Sequence, residues 1–211
     1  MPIVQEVIPY GFRGDQVLLK TVDTIIHQAG IQAFIETGSF YGVTTRHMAE
    51  SYPHIDCYSC EPDTFRYKQA TLATAEFSHC VLTNEESPEL LERLAQKDLI
   101  HQPTLFWLDA HGYGFNWPLR RELELIVQHW VTPYILIDDF EVPGCAEFGY
   151  DTYDSQSCSY DYIADIINLR ASTRIWHPTY DPRTVDWPTR GWCLITFNSV
   201  LNLSSFVAEF V

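Results

Sequence analysis

Apolar positions along the chain switch repeatedly between helical and strand-like spacing, and the switch points mark its elements. Over residues 15–29, Leu18, Val22, Ile25, Ile26 and Ala29 share one helical face, Asp15 can cap the start and Gly30 the end. A strand is expected over 32–37, a helix from Val43 to Ser51 that stops before Pro53, and a second strand from Ile55 to Glu61. Asp63–Ala75 reads as a helix, Cys80–Thr83 as a third strand and Pro88–Gln96 as a further helix. Leu105–Ala110 is a continuously apolar fourth strand broken at Asp109, and Tyr134–Asp139 is a fifth. Between them, residues 118–130 carry Leu119, Leu123, Ile126, Val127 and Trp130 on one helical side.

Apolar runs rather than strict alternation are expected where helices cover both faces of a parallel sheet. The β-α alternation therefore predicts a doubly wound, Rossmann-like α/β fold. After Asp139 the order changes: a polar and aromatic loop over 140–158, a helix near 159–170, and strands near 173–178 and 191–198 forming a hairpin-like addition at the sheet edge. The expected organisation is one domain over 1–211, with an N-terminal segment and helix (1–30), a core (31–198) and a tail (199–211). The tail is apolar enough to dock on the domain or on a second subunit, which makes a homodimer an expectation.

At 211 residues and 46% hydrophobic content the chain can bury a substantial core. A formal net charge of −15 argues against a nucleic-acid partner, which requires a cationic face. Residues Met1–Tyr10 carry no signal-peptide pattern, and no stretch approaches a membrane span, so a cytoplasmic location is expected. Six cysteines in a chain this long do not make a disulfide scaffold. Cys57 and Cys60 form a C-x-x-C, but inside a strand they point to opposite faces, which argues against a shared metal or redox pair.

The chemistry gathers where the strands end. The run Glu36-Thr37-Gly38-Ser39-Phe40-Tyr41-Gly42 joins strand to helix through two glycines, as where backbone approaches a bound nucleotide. Glu61, closing the next strand, can accept hydrogen bonds from a ribose. Asp109 with His111, and Asp138 with Asp139, end the fourth and fifth strands. Three converging aspartates need neutralising; a hard divalent ion such as Mg²⁺ would do so, and loop capping by Asp138-Asp139 is an equal alternative. His111 has an ordinary pKa suited to proton abstraction near neutrality, or is simply a loop histidine beside Gly112 and Gly114. A dinucleotide fingerprint is not met, because Phe40 and Val43 stand where its later glycines belong.

The pattern E-x-G-x-x-x-G, with Glu61 and the strand-end acids, resembles the class I S-adenosylmethionine-dependent methyltransferases over about residues 15–198. Leu108-Asp109-Ala110-His111 and Ile137-Asp138-Asp139-Phe140 are similar to the corresponding stretches of the metal-dependent, macrocin-type sugar O-methyltransferases. This resemblance implies a mostly parallel sheet with an antiparallel last strand. It also implies Mg²⁺ on Asp109, Asp138 and Asp139, and a small hydroxylated acceptor. S-adenosylmethionine would lie along Glu36, Thr37, Gly38, Ser39, Tyr41, Gly42, Glu61 and Asp109, with Glu86 and Ser87 near the adenine. Related enzymes usually carry an aspartate two residues after the first metal ligand, where this chain has His111, the expected general base. Phe148, Tyr150 and Tyr153 could stack on an acceptor or pack as a surface loop. A nicotinamide-dependent oxidoreductase and a non-catalytic nucleotide- or metal-binding module are the rival readings.

Overall fold

The computed structural model describes residues 10–111 and 117–210. Met1–Pro9 of the leader reading, and Gly112 and Gly114 of the loop reading, lie outside them. The first long element, α1 (Gln16–Ala29), begins where the sequence places it. Asp15 Oδ1 accepts from the backbone N–H groups of Val17 and Leu18 at 2.8 and 3.0 Å, and Gly30 ends the helix in the left-handed region at φ 61°. Asp15 is itself fully buried, and its Oδ2 accepts from Tyr180 Oη at 2.7 Å and Trp192 Nε1 at 3.2 Å. The helix cap therefore also ties the start of the chain to its last third.

There follow β1 (Ala33–Thr37), α2 (Val43–Ser51), β2 (Asp56–Cys60), α3 (Thr64–Thr74), β3 (Cys80–Thr83) and α4 (Ser87–Leu94). Then come β4 (Thr104–Leu108), α5 (Leu119–His129) and β5 (Pro133–Asp138). The 140–158 segment holds a small hairpin, β6 (Thr152–Tyr153) with β7 (Gln156–Ser157), and α6 (Tyr160–Ile167) ends three residues short of the expected bound. The chain closes with β8 (Thr173–Pro178), β9 (Trp192–Phe197) and β10 (Val207–Phe210).

Eight strands form one sheet in the order β3-β2-β1-β4-β5-β9-β8-β10. The first five are parallel, whereas β9 runs antiparallel to β5, β8 to β9, and β10 to β8. The tail thus supplies an edge strand to the same sheet. Successive residues of the central strands face opposite cores. Ala33, Ile35, Phe106, Leu108, Ile135 and Ile137 pack with α4, α5 and α6, while Phe34, Leu105, Trp107 and Leu136 pack with α1 and α2. Leu18, Val22, Ile25 and Ile26 are at most 3% exposed, so each contributes on the order of 1.5–3 kcal/mol of apolar burial. This two-sided burial is why the strands read as continuous apolar runs. No helix among the described residues is long and apolar enough to cross a membrane.

Candidate active site

Parallel order places the C-terminal ends of β1, β2, β4 and β5 on one rim, and the expected residues lie there. The turn after β1 is fastened from three sides. Ser39 N–H donates to Cys60 O at 2.8 Å, Glu61 Oε2 accepts from Phe40 N–H at 2.9 Å, and Asp109 N–H donates to Thr37 O at 3.2 Å. Gly38 has φ 82°, and a Cβ there would lie 2.9 Å from Asp109 O and 3.2 Å from Ala110 Cα. Its glycine is thus required by the protein's own strand-end backbone. Gly42 caps α2, and the Tyr41 ring lies 4.2 Å from that of Phe40.

Glu36 turns inward. Its carboxylate accepts from the Thr45 hydroxyl and from Ser59 Oγ at 3.2 Å, and burial pushes its pKa up to about 8 against those hydrogen bonds. Glu61 is 5% exposed and accepts a second N–H, from Asp63, at 3.0 Å; burial raises its pKa as well. Glu86 is exposed at the start of α4, where its N–H donates to Glu89 Oε2. Ser87 is buried and helps to hold down the pKa of the Glu122 carboxyl against its burial.

Beyond β4 and β5 lies an open cleft of about 260 Å³, solvent at its mouth included, lined by Asp109, His111, Trp117, Glu122, Asp138, Asp139 and Asp151 among others. Donor atoms of Asp109, His111 and Asp139 fall within 4.8 Å of one another. Asp138 does not join that group: its Oδ1 pairs with Arg13 Nη1 and accepts the backbone N–H of Asp139 at 2.8 Å. Asp139 itself sits at φ 52° and pairs with Arg190 Nε at 2.5 Å. Asp138 thus accepts a backbone N–H at the turn, as the loop-capping alternative expects. Surrounding protein pushes the Asp109 pKa up to about 6, although its side chain is 28% exposed.

His111 is held from both sides. Nε2 lies 3.4 Å from Asp109 Oδ1, and Nδ1 lies 2.9 Å from Asp151 Oδ2 and 2.8 Å from Tyr153 Oη. Burial disfavours the imidazolium, but the Asp151 hydrogen bond and the charges of Asp109 and Asp139 outweigh it and raise the pKa above the ordinary histidine value. Asp151 is held down to about 2: its burial is overcome by His111, Tyr153 and Arg190. Of the loop aromatics, Phe148 is 1% exposed in a small core with Val142 and Tyr180, so it cannot stack on an acceptor. Tyr153 is engaged with His111, and Tyr150 is exposed.

Four residues of the site escaped the sequence reading: Arg13, Arg190, Asp151 and Glu122. Glu122 is 1% exposed with its Oε1 unpartnered among the described residues, and burial pushes its pKa up to about 7 against hydrogen bonds from Ser87 and Thr37. A carboxylate on the apolar face of a helix, three residues after Leu119 and four before Ile126, was a legible signal.

Solved structures share this architecture. The O-methyltransferase TomG from Streptomyces achromogenes, involved in tomaymycin synthesis and in complex with SAM, aligns at TM-score 0.63 and 12% identity over 85% of this chain and 79% of its own. The O-methyltransferase from Bacillus cereus in complex with SAH aligns at TM-score 0.63 and 12% identity, covering 85% and 80%. The chain has the fold of the class I methyltransferases. Cofactor-bound Rv0187 from MTB aligns with this methyltransferase fold at TM-score 0.62 and 13% identity, covering 86% and 79%. No family model and no curated protein sequence matches.

The carboxylates of Asp109 and Asp139, in mutual reach beside the His111 ring, offer the oxygen donors that a hard divalent cation takes. Asp138 and Asp139 each carry a guanidinium partner, Arg13 and Arg190, so either one ligates an ion only by exchanging its arginine for it. The Gly38 turn and the Glu61 carboxylate occupy the strand ends at which this fold class takes its cofactor.

Proposed function

We propose that this chain is an S-adenosylmethionine-dependent O-methyltransferase acting on a hydroxyl of a small molecule of sugar or natural-product type. The observation that carries the reading is the Asp151–His111–Asp109 arrangement beside the β1 turn, within the methyltransferase fold. When bound, S-adenosylmethionine supplies an electrophilic methyl on sulfonium sulfur, and Mg²⁺ lowers the pKa of an acceptor hydroxyl. The chain's own residues orient and deprotonate. Asp151 accepts the Nδ1 proton of neutral His111, which selects Nε2 as the nitrogen that takes the acceptor's proton. Tyr153 supports that pair, and Asp109 stabilises the resulting imidazolium. Glu61 and the turn from Glu36 to Gly42 hold the ribose and methionine end, with Ser87 and Glu86 toward the adenine. Asp109 and Asp139 are the proposed Mg²⁺ ligands, Asp139 by exchanging Arg190 for the ion, with Asp138 able to join them by exchanging Arg13.

A second reading of the rim has its own support. Arg13 and Arg190 already pair with Asp138, Asp139 and Asp151, so the cluster is partly neutralised by the protein itself. A metal-independent transferase would use those guanidinium groups to hold the acids together. Calorimetric titration of S-adenosylhomocysteine, with Mg²⁺ and with chelator, followed by methyl-transfer assays on sugars, phenols and catechols, separates the possibilities. Micromolar binding with chelator-sensitive turnover supports the metal-dependent reading, and chelator-insensitive turnover the arginine one. Absence of binding in both conditions removes the methyltransferase proposal.

A further inference from the structure

The C-x-x-C spacing pairs the wrong cysteines. Cys60 packs in the core beneath α4 and α5, whereas Cys57 faces the opposite core. Its neighbour across the ladder is Cys80: the two residues are register partners on the parallel strands β2 and β3. Cys57 N–H donates to His79 O at 2.9 Å, which fixes His79 beside the pair. The donor atoms of Cys57, His79 and Cys80 lie within 4.8 Å of one another. They sit at the amino ends of the strands, on the opposite rim of the sheet from Asp109 and Asp139.

Two features make this group suited to a ligand. His79 Nε2 is buried and has no hydrogen-bond partner among the described residues, an unfavourable state for a ring nitrogen unless something else meets it. Access is provided by position: β3 is the edge strand, and His79 and Cys80 are half-buried while Cys57 is fully enclosed. Two sulfurs and an imidazole are a soft donor set, which selects thiophilic cations over Mg²⁺ or Ca²⁺. Tetrahedral zinc with Zn–S near ~2.3 Å and Zn–N near ~2.0–2.1 Å brings its donors to within about 4 Å of one another, reachable here by small side-chain rotations.

We propose that Cys57, His79 and Cys80 form a Zn²⁺ site that fastens the edge strand β3 to β2, with water in the fourth position. Binding converts both thiols to thiolates and releases two protons to solvent; no electron is transferred. The site is independent of the methyl-transfer reading.

Cobalt(II) reports on it directly. The full-length protein, stripped of metal and kept reduced with a phosphine, is titrated with Co²⁺ and then with Zn²⁺. The expected result is thiolate-to-cobalt charge-transfer absorption with tetrahedral visible bands, abolished by stoichiometric Zn²⁺. His79→Gln and Cys80→Ser, both at half-buried positions, are each expected to weaken Co²⁺ binding at least ~10-fold, the consequence of losing one of three protein ligands. Thermal unfolding of each variant confirms that it is folded. Absence of thiolate bands in the wild-type protein, or their persistence in both folded variants, overturns the proposal.

Discussion

Arg13 Nη1 pairs with Asp138 Oδ1 and lies 3.7 Å from Asp139 Oδ1, so a cation from the segment before α1 occupies the acidic rim at the end of β5. The side chains are 17% and 3% exposed, and solvent offsets little of their charge. Removing one partner of such a pair costs about 3–5 kcal/mol where burial is complete. Arg13→Met is therefore expected to lower the midpoint of chemical denaturation in chelator. If the rim accepts a divalent ion, millimolar Mg²⁺ restores more stability to the variant than it adds to the wild type. Absence of any Mg²⁺ response in both proteins counts against a cation at Asp109 and Asp139.

Asp151 contacts His111 Nδ1, and Asp109 lies on the other side of the ring. His111→Ala is expected to retain S-adenosylhomocysteine affinity while kcat falls about 10²–10⁴-fold, the usual contribution of a positioned base. Asp151→Asn should reduce kcat with little change in KM, because the ring remains but its tautomer is no longer selected. Steady-state kinetics decide this, and wild-type kcat in His111→Ala removes the histidine from the reaction.

Much of this arrangement was legible before the structure. The bounds of β1, β4 and β5 agree within a few residues because these strands are buried on both faces and read as apolar runs. Glu36, Glu61, Asp109 and Asp138 fall at strand ends for the same reason. Arg13 and Arg190 were not legible: one precedes the first periodic segment and the other lies in the proline-containing stretch before β9. The approach of Arg190 to Asp139 depends on β9 inserting beside β5, which no local spacing encodes. Likewise Cys57 finds Cys80 through strand register, a property of the assembled sheet. Glu122 differs, since its place on an apolar helical face was visible.

Gly191 gives a prediction about the scaffold. A Cβ there would lie 1.8 Å from Phe140 O, where the β9 entry passes the aspartate pair, and Phe140 N–H donates to Gly191 O at 3.0 Å. Backbone cannot retreat as a flexible side chain would. Gly191→Ala is expected to destabilise the protein by at least the ~1–3 kcal/mol typical of overpacking, and to displace Asp139. Urea unfolding measures the first effect; a change under about 0.5 kcal/mol, the range of ordinary surface substitutions, would contradict the close approach.

Glu36 supplies the pH dependence. Its folded pKa of about 8 lies above its ordinary value of 4.5, so the native state holds a proton that the unfolded chain has released between those limits. The unfolded state then binds fewer protons, and stability falls as pH rises from about 4.5 to about 8. Below that window the group contributes no pH dependence, and above it the full penalty of a buried carboxylate is present. At about 1.4 kcal/mol per pKa unit the loss is at most ~5 kcal/mol. Glu36→Gln keeps an acceptor for Thr45 and Ser59 but cannot ionise. The stability difference, variant minus wild type, is therefore expected to grow by kilocalories between pH 5 and pH 8 (about the span of the window). Parallel stability curves for the two proteins over that range would show that Glu36 does not titrate inside the fold.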